Sequence, residues 1–345
     1  MSLQLETLTN EYPIQTNDWY ERYALTNPTL IPKPLDVPDD HIAYNPSAIW
    51  TTRNKSGESH DILYLRVEPD RSCPGTSHLG KSRVRPYSID LMDLSKPPQP
   101  YYDAMELIGE DAALTTINRK IGGKVIDNVW LLSCVKVKPK INEPDHVETL
   151  HTEFYVGKNL NNLEYVASGP EWMKDIRIIQ DADSDTKLHI YGRPQPKEYK
   201  DCGNITHTTI NSIDGLNSEV ISNAPYIDDD LLRLGSGKWG GVNDIINMGG
   251  NRHILVAHRA WRTGTDGGGR HYEAVLYGHN TRERSIVDLG ILATANMFPQ
   301  GTVKADDAVD LSDVVFTGGG YNGTLQYTTF GVRDGSIGIS GVQKH

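Results

Sequence analysis

The run Leu107-Ile108-Gly109-Glu110-Asp111-Ala112-Ala113-Leu114-Thr115-Thr116-Ile117 sets two adjacent carboxylates at the head of an apolar segment with the make-up of a β-strand. Side chains alternate across a strand, so Glu110 and Asp111 are expected on opposite faces, at most one of them in any given site. The segment reads as the innermost strand of a propeller blade. Asp111 is then the carboxylate that faces the central cleft, as a general acid.

The reading rests on a repeat. Five segments share one plan: a polar residue, an apolar strand, a polar turn and a second apolar strand. Their polar residues are Asn45, Asp111, Asp175, Asp244 and Asp313, at intervals of 66, 64, 69 and 69 residues. Units this small cannot bury their own faces, and five near-equal ones predict an all-β, five-bladed β-propeller over residues 41–345. The last unit runs out of chain early. Residues 1–40, with Pro13, Pro28, Pro32, Pro34 and Pro38, read as an extended leader that supplies the missing strand and closes the ring. Tyr20 to Leu25 are expected to form one short helical turn.

Composition narrows the function. The 345 residues carry 34 basic and 45 acidic side chains, a net charge of −11, with no long run of either sign. Nucleic acid and an anionic membrane are therefore not expected partners. No apolar run approaches the roughly 20 residues of a membrane helix. The N-terminus has neither the basic start nor the apolar core of a secretion signal. The three cysteines, Cys73, Cys134 and Cys202, are far apart and odd in number, as expected of reduced thiols in a cytoplasmic protein.

Four Asp and one Asn converging at a propeller axis would repel, raising some carboxyl pKa values and providing a natural place for a general acid. The alternative is that each Asp caps a turn. Basic residues recur on the second strands as Arg66, Arg193 and His258, and Lys238 precedes the fourth blade. Together they could bind an oxyanion such as phosphate, or simply pair with the Asp ring. Trp50, Trp130, Trp172, Trp239 and Trp261 fall in or beside the blades. An indole can stack on a sugar, although core packing is its commoner use. Gly235-Ser236-Gly237-Lys238-Trp239-Gly240 matches a dinucleotide fingerprint in letters only, since no strand-to-helix turn surrounds it. No metal or organic cofactor is called for.

At these residues the chain resembles glycoside hydrolase family 130, the mannoside phosphorylases and related enzymes. Tyr44-Asn45-Pro46-Ser47-Ala48 is similar to the family's Phe-Asn-Pro-Ala start, and Leu63-Tyr64-Leu65-Arg66 to its Leu-Tyr-Arg. Glu110-Asp111-Ala112 looks like its Glu-Asp-Pro-Arg, whose Asp is the family's proton donor. Lys174-Asp175 and Gly192-Arg193-Pro194 resemble its Lys-Asp and His-Arg-Pro pieces. Lys238, Ala257-His258 and Phe330-Gly331-Val332-Arg333-Asp334 resemble three more, in order over about residues 41–345. Three departures stand out: Ala113 where the family has Arg, Gly192 where it has His, and Met173 where it has a basic residue. The chain also resembles an uncharacterised branch, domain of unknown function 1861.

The resemblance implies a carbohydrate-active enzyme that cleaves a glycosidic bond, β-mannoside-like, by inverting phosphorolysis or hydrolysis. Asp111 would donate the proton. Asn45, Arg66, Glu110, Asp175, Asp244, Asp313 and Asp334 would bind substrate. Lys238, Arg193 and His258 would hold inorganic phosphate as a co-substrate. The expected partner is a small oligosaccharide or glycoside; a homo-oligomer is left open. The alternative is a sugar-binding propeller without catalysis.

Overall fold

The structure, a computed structural model, describes residues 22–70, 80–143, 146–195, 204–227, 238–263, 268–304 and 310–345. Its strands form five sheets arranged as a five-bladed β-propeller. The one α-helix among the described residues is the short Ser218–Ser222. Gly and Pro punctuate the chain too often for helical periodicity to develop, and β-rich runs of fewer than about ten residues favour strands.

Blade one is built on Ser59–Pro69 and Arg83–Ile89. Its inner strand is split into His41–Tyr44 and Trp50–Arg53. Pro46 has no N–H to give a ladder, and Ser47 takes over: its amide donates to Tyr64 O at 2.8 Å while its hydroxyl accepts from Tyr64 N at 2.9 Å. Blade two runs Glu110–Ile121, Lys124–Pro139, Val147–Gly157 and Glu164–Ser168. Blade three has Met173–Gln180, Leu188–Pro194 and Thr206–Ile210. Blade four runs Lys238–Asn247, Arg252–Thr263, Gly269–Asn280 and Ser285–Ala293. Blade five combines Val315–Tyr321, Thr324–Val332 and Ser336–Lys344 with the early strand Tyr23–Ile31, which pairs antiparallel with Ser336–Lys344.

The expected helical turn is not there. Tyr23 to Leu25 belong to the extended strand Tyr23–Ile31, and Tyr20 and Glu21 lie outside the described residues. The exposed edge of Ser336–Lys344 offers a full row of ladder partners, which outweighs a weak local helical preference.

Five apolar clusters sit between neighbouring blades, one at each seam. At the seam of blades five and one the backbones nearly touch. A Cβ on Gly318 would lie 1.9 Å from Pro46 O, so only glycine fits. Ile49 N donates to Gly320 O at 2.8 Å across that seam. Of the cysteines, Cys134 is a buried thiol whose pKa burial pushes up to about 12; Cys73 and Cys202 lie outside the described residues.

One local device repeats at the head of the inner strands. Asn45, Asp111 and Asp175 all take the left-handed backbone conformation, with φ of 45°, 48° and 51°. Asn and Asp tolerate this region better than most residues. The ladder slips there, between Glu110 and Ala113 in blade two and between Lys174 and Arg177 in blade three. Such bulges bend a strand and re-aim its side chains.

Candidate active site

The bulge overturns the expected alternation of Glu110 and Asp111. Both carboxylates reach one guanidinium. Arg66 Nη2 lies 2.9 Å from Glu110 Oε1, and Arg66 Nη1 lies 3.4 Å from Asp111 Oδ1. The left-handed turn at Asp111 breaks the period of two, so neighbours in sequence share a face. Asn45 Nδ2 donates to the same Asp111 Oδ1 at 3.1 Å. Burial pushes the Asp111 carboxyl up, but Arg66, Lys174 and the Asn45 bond outweigh it and hold it below the usual range. Lys174 also lies 3.7 Å from Glu110 Oε2.

Asp175 is bound by Arg193 Nε at 2.6 Å. Burial would raise its pKa; Arg193, His258 and Arg177 together hold it at about 2. Gly241 makes room for it, since a Cβ there would stand 2.4 Å from Asp175 Oδ2. His258 lies in the next blade, with Nδ1 bonded to Asn243 Oδ1 at 2.7 Å and its ring between Tyr272 and Phe316. Burial pushes it down to about 4. That burial disfavours the charged form of the imidazole. Against two aromatic rings the imidazole has little water to stabilise its charged form. Arg177, buried two residues past Asp175, donates through Nε to Asn243 O at 2.6 Å.

Of the remaining expected residues, only Asp334 stands near Asp111. Asp334 sits in the hairpin turn between Thr324–Val332 and Ser336–Lys344, close enough to Lys304, Arg66 and Asp111 to interact electrostatically, and burial raises its carboxyl. Asp244 is further along the channel. Its carboxylate accepts from Gly320 N and Ile245 N, both at 2.8 Å, and burial raises it to about 6. Lys238 is exposed at the head of its strand, three residues before Gly241, or about 10 Å along the strand rise. Asp313 does not join the group. Its side chain is 53% exposed and bonds His271 on blade four's third strand. Although its spacing in sequence fits the repeat, blade five's inner strand starts only at Val315, and the residues just before it pair with blade four instead.

Sequence reasoning missed the group behind Arg66. Glu68, fully buried, accepts from Arg66 Nε at 2.8 Å, Ser82 Oγ at 2.6 Å, Tyr44 OH at 2.7 Å and Lys304 Nζ at 2.5 Å. Arg66 and Glu68 stand two apart on one strand, hence on one face, which was a legible signal. Lys304 arrives from the segment joining blades four and five, and nothing local points to it. Asn243 and Tyr272 were likewise unmarked.

At the opposite mouth of the channel lies a cavity of about 530 Å³ to which every blade contributes, through Trp50, Thr116, Gln180, Asn247 and Gly323 among others. Asp244 reaches its wall. Trp50 is engaged there by Trp130, edge to face at 5.9 Å, and by Leu114 O. Among the described residues no cluster of His, Cys, Asp and Glu has a metal-holding arrangement, and no helix is long and apolar enough to cross a membrane.

This architecture has clear relatives. Residues 123–327 match the family model "Protein of unknown function (DUF1861)". The chain belongs to DUF1861. The matched span contains Asp175, Arg193, Asp244 and His258, while Asn45, Arg66, Asp111 and Asp334 lie outside it. No curated protein sequence matches this DUF1861 chain. Among solved structures it is similar to MPT-1, a GDP-Man-dependent mannosyltransferase from Leishmania mexicana, at 25% identity and TM-score 0.72, covering 93% of this chain and 90% of that one. It is also similar to MPT-4, a mannose phosphorylase from Leishmania mexicana solved with a phosphate ion, at 23% identity and TM-score 0.71, covering 92% and 88%. A third similar structure is reported under the GH130 family of mannoside phosphorylases, with glycoside hydrolases that target β-1,2 mannosidic linkages in Candida mannan. There identity is 10% and TM-score 0.54, over 94% of this chain and 95% of that one.

Proposed function

We propose that this DUF1861 protein is a carbohydrate-active enzyme that cleaves a mannoside-like glycosidic bond with inversion, or forms one in reverse, with Asp111 moving the proton on the bridging oxygen. The observation that carries the reading is the convergence of Asn45 and Arg66 on one oxygen of Asp111. A carboxylate fixed from two sides on a strand bulge is held for chemistry rather than for a turn. The likeness to a mannosyltransferase at 25% identity supports a mannosyl group as the unit handled. In the free protein Asp111 is ionised, the form that takes a proton from an acceptor hydroxyl. In cleavage the same group, once protonated, gives the proton to the leaving oxygen.

The attacking group in cleavage is phosphate or water. Phosphate would rest on Arg193 and Lys238, with His258 as a neutral hydrogen-bonding group. Water would need a second carboxylate from Asp175, Asp244 or Asp334, set roughly 6.5–9.5 Å from the acid in the inverting geometry. A sugar-binding propeller without catalysis is the second reading. It is favoured by Gly192 and Met173, which pack on each other where the resemblance calls for a His and a basic residue. A Cβ at Gly192 would stand 3.0 Å from the Met173 sulfur. Incubation with a panel of short mannosides, with and without phosphate, tests the proposal. Conversion that disappears in Asp111→Asn supports it, and a panel left intact by the wild-type chain favours the binding module.

A further inference from the structure

Glu68 stands behind Arg66 and is the most heavily bonded carboxylate of the site. Its Oε2 takes Arg66 Nε at 2.8 Å, Arg66 Nη2 at 2.7 Å and Ser82 Oγ at 2.6 Å. Its Oε1 takes Tyr44 OH at 2.7 Å and Lys304 Nζ at 2.5 Å. Lys304 in turn donates to Tyr44 OH at 2.9 Å. Arg66 has its guanidinium 5.2 Å from the centre of the Tyr44 ring.

We infer that Glu68 is a positioning residue for Asp111: it pins the Nε–Nη2 edge of Arg66, so that the Nη1–Nη2 end is presented to Glu110 and Asp111 at a fixed distance. The inference rests on the reading that makes Asp111 the reacting carboxylate. Three features carry it. First, the guanidinium is planar and its donors diverge, so fixing one edge fixes the direction of the other. Second, Arg66 Nη2 is shared between Glu68 and Glu110, at 2.7 and 2.9 Å, so any retreat of Glu68 changes the contact with the Glu110–Asp111 pair. Third, the anchor is itself immobilised. Glu68 is fully buried with both oxygens occupied, and Lys304 ties it to the segment that joins blades four and five. A buried ion group of this kind does little for stability relative to apolar packing. Its retention behind a functional carboxylate is better explained by what it orients. The charge on Asp111 is then set at a distance, through one guanidinium that Glu68 holds partly away from it.

The test separates position from charge. Glu68→Asp keeps the negative charge and withdraws it by one methylene, drawing Arg66 away from Asp111. Titration of the full-length chain labelled with ¹³Cγ-aspartate follows Asp111 directly, its signal identified by its loss in Asp111→Asn. In Glu68→Asp the Asp111 midpoint is expected to rise by about half to one pH unit, less than in Arg66→Met, which removes the cation altogether. If Glu68→Asp does not fold, Lys304→Met removes a competing cation from Glu68 without touching Arg66. Glu68 then draws harder on the guanidinium, and the Asp111 midpoint again rises. An unmoved midpoint in the variant that folds overturns the inference. Because the readout is titration, failure of the proposed activity is distinguished from failure of this coupling. Turnover retained in Asp111→Asn rejects the catalytic reading and leaves the titration result standing by itself.

Discussion

Asn45 and Asp111, 66 residues apart in the chain and in successive blades, share the same left-handed backbone and meet at 3.1 Å. The contact has a direction. Asn45 gives its Nδ2 to Asp111, and its own Oδ1 is buried without a partner, against Gly331. An amide that turns its donor to a carboxylate and leaves its acceptor unmet is choosing the ionised form of that carboxylate.

Gly331 is what permits this arrangement. A Cβ there would stand 2.0 Å from Asn45 Oδ1 and 3.2 Å from Asn45 Cα, so part of the clash falls on backbone that cannot turn away. Gly331→Ala is therefore expected to displace Asn45, lower stability by about 1–3 kcal/mol and reduce turnover together. Denaturant unfolding and kinetics on the same samples check it. A fully active, fully stable variant would show that Asn45 does not hold Asp111.

Asp111→Asn should leave the fold intact and reduce turnover on a natural-type disaccharide by roughly 10²–10⁴-fold. The amide keeps the shape but carries no transferable proton. An aryl glycoside with a good leaving group needs little protonation, so the variant should regain part of its rate on such a substrate. Equal loss on both substrates would point to binding, and unchanged activity would remove Asp111 from the mechanism.

The attacking group should be read from the product. If phosphate attacks, a sugar 1-phosphate appears only with added phosphate and is lost in Lys238→Ala. Charge-assisted contacts of this kind are worth about 1.5–3 kcal/mol each. Free sugar released at a rate indifferent to phosphate assigns the attack to water.

Acid should weaken the seam of blades three and four. Tyr191 OH lies 2.7 Å from both His253 Nδ1 and His279 Nδ1, and His189 joins His207 at 3.0 Å and Asp181 at 3.1 Å. Burial holds His207 at about 2, His253 at about 3 and His279 at about 4, against an ordinary value of 6.5. The unfolded chain binds protons at these residues from pH 6.5 downward, while the folded chain does not. Stability is thus complete above about pH 6.5 and falls as the pH drops toward 4, by up to about 1.4 kcal/mol per pH unit per histidine. Asp244, raised to about 6, works the other way and offsets part of the loss. Thermal unfolding from pH 8 to pH 4 should show the decline, flattened in His253→Gln. A flat wild-type profile would mean that these imidazoles titrate in the fold much as they do in the unfolded chain.

Periodicity along the chain was enough to count the blades. The spacing of Asn45, Asp111, Asp175 and Asp244, with apolar strands behind each, reflects a seam that must be buried five times over, and that demand is written locally in every unit. It also brought Asp111, Arg66, Asp175, Arg193 and His258 to attention. What it could not fix was direction and charge. The bulge at Asp111 turned two alternating carboxylates onto one guanidinium, because a left-handed residue resets the period of two. Asp313 fitted the spacing yet was drawn outward to His271 by pairing with another blade. His258 is basic in sequence, but Tyr272, Phe316 and Asn243 pack against it and burial lowers its pKa. Glu68 and Lys304, 236 residues apart, meet only because the ring closes. Local sequence encodes which faces are apolar. The electrostatics of the centre depend on contacts between distant segments, and only the closed ring brings those segments together.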